Sequence, residues 1–195
     1  MLNKTLRPKF EGLINQVASW FEKKGFTPNQ LTLAGLALSL LAGWIFASGH
    51  LFFGGLVLIG GSLGDLLDGA LARKTGKITR FGAFLDSTVD RYCDFFLFGG
   101  LILFFAELGK AGYMLLTLGA LLGSFVTSYA KARAEGLNLE CNVGFFERAV
   151  RVIILALGVL IVPLLPLALW ALFLGTHVTA LQRILHVKKL LEKNP

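Results

Sequence analysis

Four aspartates between Gly64 and Arg91 carry the chemistry this sequence can do. Asp65 and Asp68 are three positions apart, and Asp86 and Asp90 four. On an α-helix either spacing puts the pair on one face, a single turn from each other. If the two faces meet, four carboxylates converge, and left alone they would repel one another. A divalent cation removes the conflict. Hard oxygen ligands suit Mg²⁺ or Mn²⁺, and two ions suit phosphoryl transfer, one assisting the attacking oxygen and the other the leaving oxygen. Between the pairs, Gly69 and Gly82 let a ligand approach the backbone closely, and Arg73 offers a planar fork of donors that fits a diphosphate. Packing between membrane helices is the other reading of each glycine; their place among the aspartates favours the ligand.

The elements that must hold these residues are membrane helices. The chain has 195 residues, is 55% apolar and carries a formal charge of +7, with a mean hydropathy of +0.69. Its apolar runs are roughly 18 to 25 residues long, the length that crosses a hydrocarbon core about 30 Å thick. A carboxylate at that depth costs about 2.5 to 3.5 kcal/mol and faces a cavity, a partner or a metal. The expected fold is an all-α integral membrane protein of six transmembrane helices. Their spans run from about Leu31 to Ser48, Leu51 to Ala72, Phe81 to Leu108, Tyr113 to Ala134, Phe145 to Val162 and Pro166 to Val187.

Residues 1–26 are expected to form a separate juxtamembrane segment ahead of a membrane domain at 27–195. They lack the apolar core and cleavage site of a signal peptide. Phe10, Leu13, Ile14, Val17, Trp20 and Phe21 recur at helical spacing, which reads as an amphipathic helix lying in the membrane interface or packed on a partner. Thr27 and Pro28 supply an N-cap and a favoured first-turn residue for the first span. Lys and Arg gather in alternate connecting segments, all on one side of the spans, with only Lys110 on the other side. Both termini and the aspartates are therefore expected at the cytoplasmic face of the cell membrane. Membrane orientation accounts for the basic excess, and nucleic acid is not expected as a partner. Cys93 and Cys141 show no metal or disulfide spacing and read as structural.

The pattern Asp65-x2-Asp68-Gly69-x2-Ala72-Arg73-x8-Gly82-x3-Asp86-x3-Asp90 resembles the signature of the CDP-alcohol phosphotransferase (phosphatidyltransferase) family at every defined position. The resemblance implies that Asp65, Asp68 and Asp86, with help from Asp90, hold two Mg²⁺ or Mn²⁺ ions. It also implies that Asp68, Gly69, Arg73 and Gly82 hold the CDP group, with Ala72 giving clearance and Asn29 and Thr32 of a Pro-Asn-x-x-Thr pattern near the nucleotide. The implied reaction is attack by an alcohol hydroxyl on CDP-diacylglycerol, with release of CMP. Asp90 is the expected general base, and an aspartyl-phosphate route is the alternative. The family also implies a homodimer.

The alcohol must be read from other cytoplasmic segments. Lys131 and Arg133 close the fourth span, Arg148 and Arg151 open the fifth, and Arg183 lies near the end of the sixth. Such a cluster suits a phosphorylated acceptor. The segment from Ser128 to Glu135 and the Glu147-Arg148-x-x-Arg151 pattern resemble the phosphatidylinositol-phosphate synthase branch. That implies inositol 1-phosphate as acceptor, with Lys131, Arg151 and Arg183 on its phosphate. Ala149 and Val150 depart from that branch, which keeps glycerol 3-phosphate and serine as alternatives. A divalent-cation transporter would need polar groups continuing through the outer halves of the spans, which are nearly all Leu, Phe, Ile, Val and Gly.

Overall fold

The computed structural model describes residues 12, 14 and 16–193, and among these every regular element is a helix. After α1 (residues 16–23), the chain forms α2 (Pro28–Ala47), α3 (Leu51–Thr75), α4 (Arg80–Glu107), α5 (Ala111–Glu135), α6 (Arg148–Leu160) and α7 (Leu165–Lys193). Local chemistry sets the starts. Thr27 and Gln30 form a reciprocal capping box, in which the Gln30 N–H donates to Thr27 Oγ1 at 3.4 Å and the Thr27 N–H to Gln30 Oε1 at 2.9 Å; this satisfies two donors a helix end leaves open. Thr79 does the same for α4, its Oγ1 accepting from the Gly82 N–H at 2.9 Å.

All six apolar segments are helical, but not all qualify as spans. Pro28–Ala47, Leu51–Thr75, Ala111–Glu135 and Val162–Glu192 are long and apolar enough to cross a membrane. α4 has the length, yet its N-terminal half carries Asp86, Asp90, Arg91 and Asp94. α6 has 13 residues and rises about 20 Å, whereas the sequence suggested a span from Phe145 to Val162. It is shortened at its start because residues 136–147 are not helical, and a 3₁₀ turn at Val162–Leu164 leads into α7.

The chain divides into two compact units, Met1–Leu41 with Val57–Cys93, and Ala42–Leu56 with Asp94–Pro195, so the boundary falls within α2, α3 and α4. In the first unit, Ala18, Leu31, Ala70 and Leu71 form a buried cluster against which Ile14, Phe21 and Leu67 pack. Part of the apolar stripe expected to meet the membrane interface therefore covers α2 and α3 instead. Trp20 stays outside, 54% exposed. Lys74 ties the same helix down, reaching Glu22 at 3.1 Å and also the Ser19 hydroxyl. Phe10 and Leu13, like Lys4, Arg7 and Lys9, lie outside the described residues.

The second unit is joined by close backbone approaches and buried hydroxyls. A Cβ on Gly100 would strike the Gly43 carbonyl, and one on Gly43 the Phe96 carbonyl, which is the small-residue packing membrane helices use in place of a hydrophobic drive. Across α5 and α7, Thr127 Oγ1 donates to the Thr176 carbonyl at 2.8 Å. Residues 136–147 pack along α7. Gly144 takes φ +97, and a Cβ there would collide with the Thr179 side chain. Irregular backbone that is buried needs partners from the protein, and here they come from side chains that follow it in the chain. Arg183 Nε donates to the Val143 carbonyl at 3.0 Å, Arg151 Nη1 to the Phe146 carbonyl at 3.2 Å, and Thr179 Oγ1 accepts from the Phe146 N–H at 3.2 Å. Cys93 and Cys141 are buried free thiols.

Candidate active site

The first unit gathers the signature residues on facing stretches of α2, α3 and α4. Asp68 is 7% exposed, and its Oδ2 accepts from Thr32 Oγ1 at 2.7 Å. Asp65 lies against Gly35 of α2, where a Cβ would sit 3.2 Å from its Oδ1. Asp65 and Asp86 are both near enough to act on Asp68 through their charge. Asp90, on the next turn of α4 after Asp86, is buried, and its Oδ2 accepts from Arg91 Nη2 at 3.3 Å.

Asp65 and Asp86 thus both act on Asp68 through their charge, while Asp68 itself turns to Thr32 of α2. Among the described residues no three Asp, Glu, His or Cys side chains are drawn into one metal-sized cluster. The donor set is nonetheless wholly hard oxygen, with a hydroxyl already orienting one carboxylate. This chemistry fits a divalent cation of the Mg²⁺ or Mn²⁺ kind.

The residues expected to hold CDP surround the same carboxylates. A Cβ on Gly82 would be 3.0 Å from Thr79 Oγ1, its own cap, and 3.6 Å from Asn29 Oδ1, and one on Gly69 would be 3.4 Å from Arg73 Nη1. Both glycines therefore leave room beside polar side chains. Arg73 is exposed and Ala72 half-buried, one turn beyond Asp68 on α3. The resulting face offers an amide, a guanidinium and uncluttered backbone next to carboxylates, a combination that can cradle a diphosphate and its cations.

The second unit holds the other candidates, and it separates them. Arg151 and Arg183 are each only 3% exposed. Arg183 is taken up by backbone, donating through Nε to Val143 and through Nη1 to the Thr127 carbonyl at 2.7 Å. Arg151 pairs with Asp94 at 3.1 Å and touches Ser128 Oγ at 3.4 Å. Lys131 and Arg148 are half-buried and Arg133 is exposed; Lys131 stands 4.0 Å from Glu135 in a helical ion pair, which is worth only about 0.3 to 0.5 kcal/mol.

Comparison with known proteins identifies the scaffold. Residues 26–182 match the CDP-alcohol phosphatidyltransferase family. The chain belongs to that family and is a transferase. Among similar members, phosphatidylinositol phosphate synthase of Mycobacteroides abscessus is 39% identical, with 91% of this chain and 84% of that protein covered. Archaetidylinositol phosphate synthase of Pyrococcus horikoshii is 36% identical, with 98% and 99% covered. The crystal structure of Mycobacterium tuberculosis phosphatidylinositol phosphate synthase with CDP-DAG bound superimposes with a TM-score of 0.84 at 36% identity, covering 89% of this chain and 92% of that one. The same enzyme has been solved in complex with manganese and citrate, also at a TM-score of 0.84.

Two charged residues of this phosphatidyltransferase escape a reading of the signature alone. Arg91 closes the signature stretch and meets Asp90. Asp94 continues the four-residue spacing of Asp86 and Asp90 along α4. That spacing was the available signal, and it was hidden by the apolar run Phe95 to Phe105 that begins at the next residue.

Proposed function

We propose that this transferase moves a phosphatidyl group, or its ether-lipid analogue, from CDP-diacylglycerol to inositol 1-phosphate, releasing CMP. The observation that carries the reading is the arrangement in the first unit: Asp68, under the charge of Asp65 and Asp86 and bonded by Thr32, with Asn29 near Gly82 and Arg73 near Gly69. The names of the relatives above support the choice of donor and acceptor.

Asp65, Asp68, Asp86 and Asp90 would hold the divalent cations, which we take to be two Mg²⁺ or Mn²⁺ ions. Bound cations would offset the diphosphate's charge and favour loss of the acceptor's hydroxyl proton. Thr32 fixes the Asp68 carboxylate through its hydroxyl. Arg73, Asn29 and the open backbone at Gly69 and Gly82 orient the CDP group. Asp90 takes the proton as the acceptor oxygen bonds to the lipid-side phosphorus, and the bond from that phosphorus to CMP breaks. Arg91 holds Asp90 in place. Lys131, Arg133, Arg148, Arg151 and Arg183 supply the positive field and donors for the acceptor's phosphate. In the membrane we place α2 to α7 as six passes, with both termini and the aspartates at the cytoplasmic face, and two copies paired as a homodimer.

The test is CMP release by purified protein from CDP-diacylglycerol with Mg²⁺ or Mn²⁺, across inositol 1-phosphate, glycerol 3-phosphate, serine and unphosphorylated inositol. Release should be fastest with inositol 1-phosphate, stop when EDTA is added, and return with excess cation. Silence with every acceptor would refute the reading. A preference for glycerol 3-phosphate would keep the chemistry and replace the acceptor.

A further inference from the structure

Asp94 lies outside the signature, yet it is the buried partner of a buried arginine. The side chains of Arg151 and Asp94 are 3% and 5% exposed and meet at 3.1 Å. Removing one member of such a pair strands a charge in a poorly solvated place, so the pair is held to one geometry. Three neighbours fix that geometry. Nη2 of Arg151 reaches Asp94 Oδ2 of α4 and, at 3.4 Å, Ser128 Oγ of α5, while Nη1 donates to the Phe146 carbonyl at 3.2 Å. The guanidinium is therefore clamped by both of its terminal nitrogens.

One nitrogen of the guanidinium makes no hydrogen bond. Arg151 Nε is buried and has no hydrogen-bond partner. A buried N–H on a charged group is costly to leave unmet, and burial by the clamp keeps the guanidinium from rotating to satisfy it elsewhere. The structure assigns Asp94 as a positioning residue: it holds Arg151 so that the unmet Nε–H is presented to an oxygen of the acceptor's phosphomonoester. The inference rests on the proposed acceptor chemistry and deepens it. Asp94 does not itself touch the acceptor. Because its carboxylate balances the Arg151 charge, Arg151 contributes direction, and the less buried Lys131, Arg133 and Arg148 contribute net attraction.

Steady-state kinetics on full-length Asp94→Asn and Asp94→Glu test this. Asparagine keeps the shape and loses the charged clamp; glutamate keeps the charge and moves the guanidinium by one methylene. For Asp94→Asn the KM for inositol 1-phosphate should rise by about tenfold or more, with the KM for CDP-diacylglycerol within about twofold of the parent, the pattern expected when only acceptor binding is disturbed. Asp94→Glu should show the same split to a smaller degree, and it decides the question if the asparagine variant does not fold. A residue that merely supports the fold would move both constants together or shift only the melting temperature. Equal rises in both KM values, an unchanged acceptor KM in both variants, or a lower acceptor KM from the freed Arg151 charge would each overturn the assignment. If the parent protein uses no phosphorylated acceptor at all, it is the proposed function that fails; a parent active without the split sinks this inference alone.

Discussion

At the scale of single residues, the site is set by which oxygen turns to which neighbour. Thr32 gives Asp68 a short hydrogen bond across α2 and α3, and Arg91 makes a longer contact of 3.3 Å with Asp90 along α4. Hydrogen bonds to a charged group are worth about 1.5 to 3 kcal/mol, enough to hold a carboxylate in one orientation before any substrate arrives. If Asp90 is the base, Asp90→Asn should still bind CDP-diacylglycerol but release CMP at least about 100-fold more slowly, the usual scale of general-base loss. Equilibrium binding of the CDP-lipid alongside single-turnover CMP release checks both halves, and near-normal turnover would take Asp90 out of that role. The signature itself was legible because its meaning lies in spacing, which sequence prints directly. Asp94 and the burial of Arg151 and Arg183 were not, because they depend on where a segment without periodicity lies in space.

At the scale of elements, helices were easier to read than the connection that matters most. Polar loops, capping threonines and apolar runs located α2 to α5 to within a few residues. Helix α6 was drawn too long because Phe145 and Phe146 look like the start of an apolar span. In the structure these two belong to the irregular segment, where the Phe146 ring occupies the space a Cβ on Gly175 would need. Its shape depends on Gly144, whose positive φ few other residues adopt. Gly144→Ala meets both a backbone penalty and the Thr179 side chain, so it should destabilise the protein by about 1 to 3 kcal/mol. The expected readout is a lowered melting temperature in detergent, with Gly76→Ala, which meets no neighbour, as the comparison for backbone strain alone. Equal melting temperatures for the two variants would mean that the Thr179 contact adds nothing.

At the scale of the whole chain, the two candidate sets fall into different units, the signature residues in one and the buried arginines in the other. The signature is continuous and so could be read from spacing, whereas the surroundings of Arg151 are assembled from α4, α5, α6 and the segment between them. The four stretches that meet the length and hydropathy of a span also explain why class was plain from composition while the number of passes was not. Charge in α4 and brevity in α6 dilute the hydropathy signal that counting passes relies on.

The segment 136–147 is held by Arg151, Thr179 and Arg183, all of which are synthesised after it. While it leaves the ribosome, its Val143 and Phe146 carbonyls have no side-chain donor, and α5 is complete before the segment has α7 to dock on. Its backbone must wait in the aqueous interface until α6 and α7 arrive, so this unit closes late in biogenesis, and the arginines act as the fasteners. A chain ended after Leu160 should therefore remain open to limited proteolysis between Gly136 and Glu147, at sites the full chain protects. Equal protection of the two chains would show that the segment settles without α7.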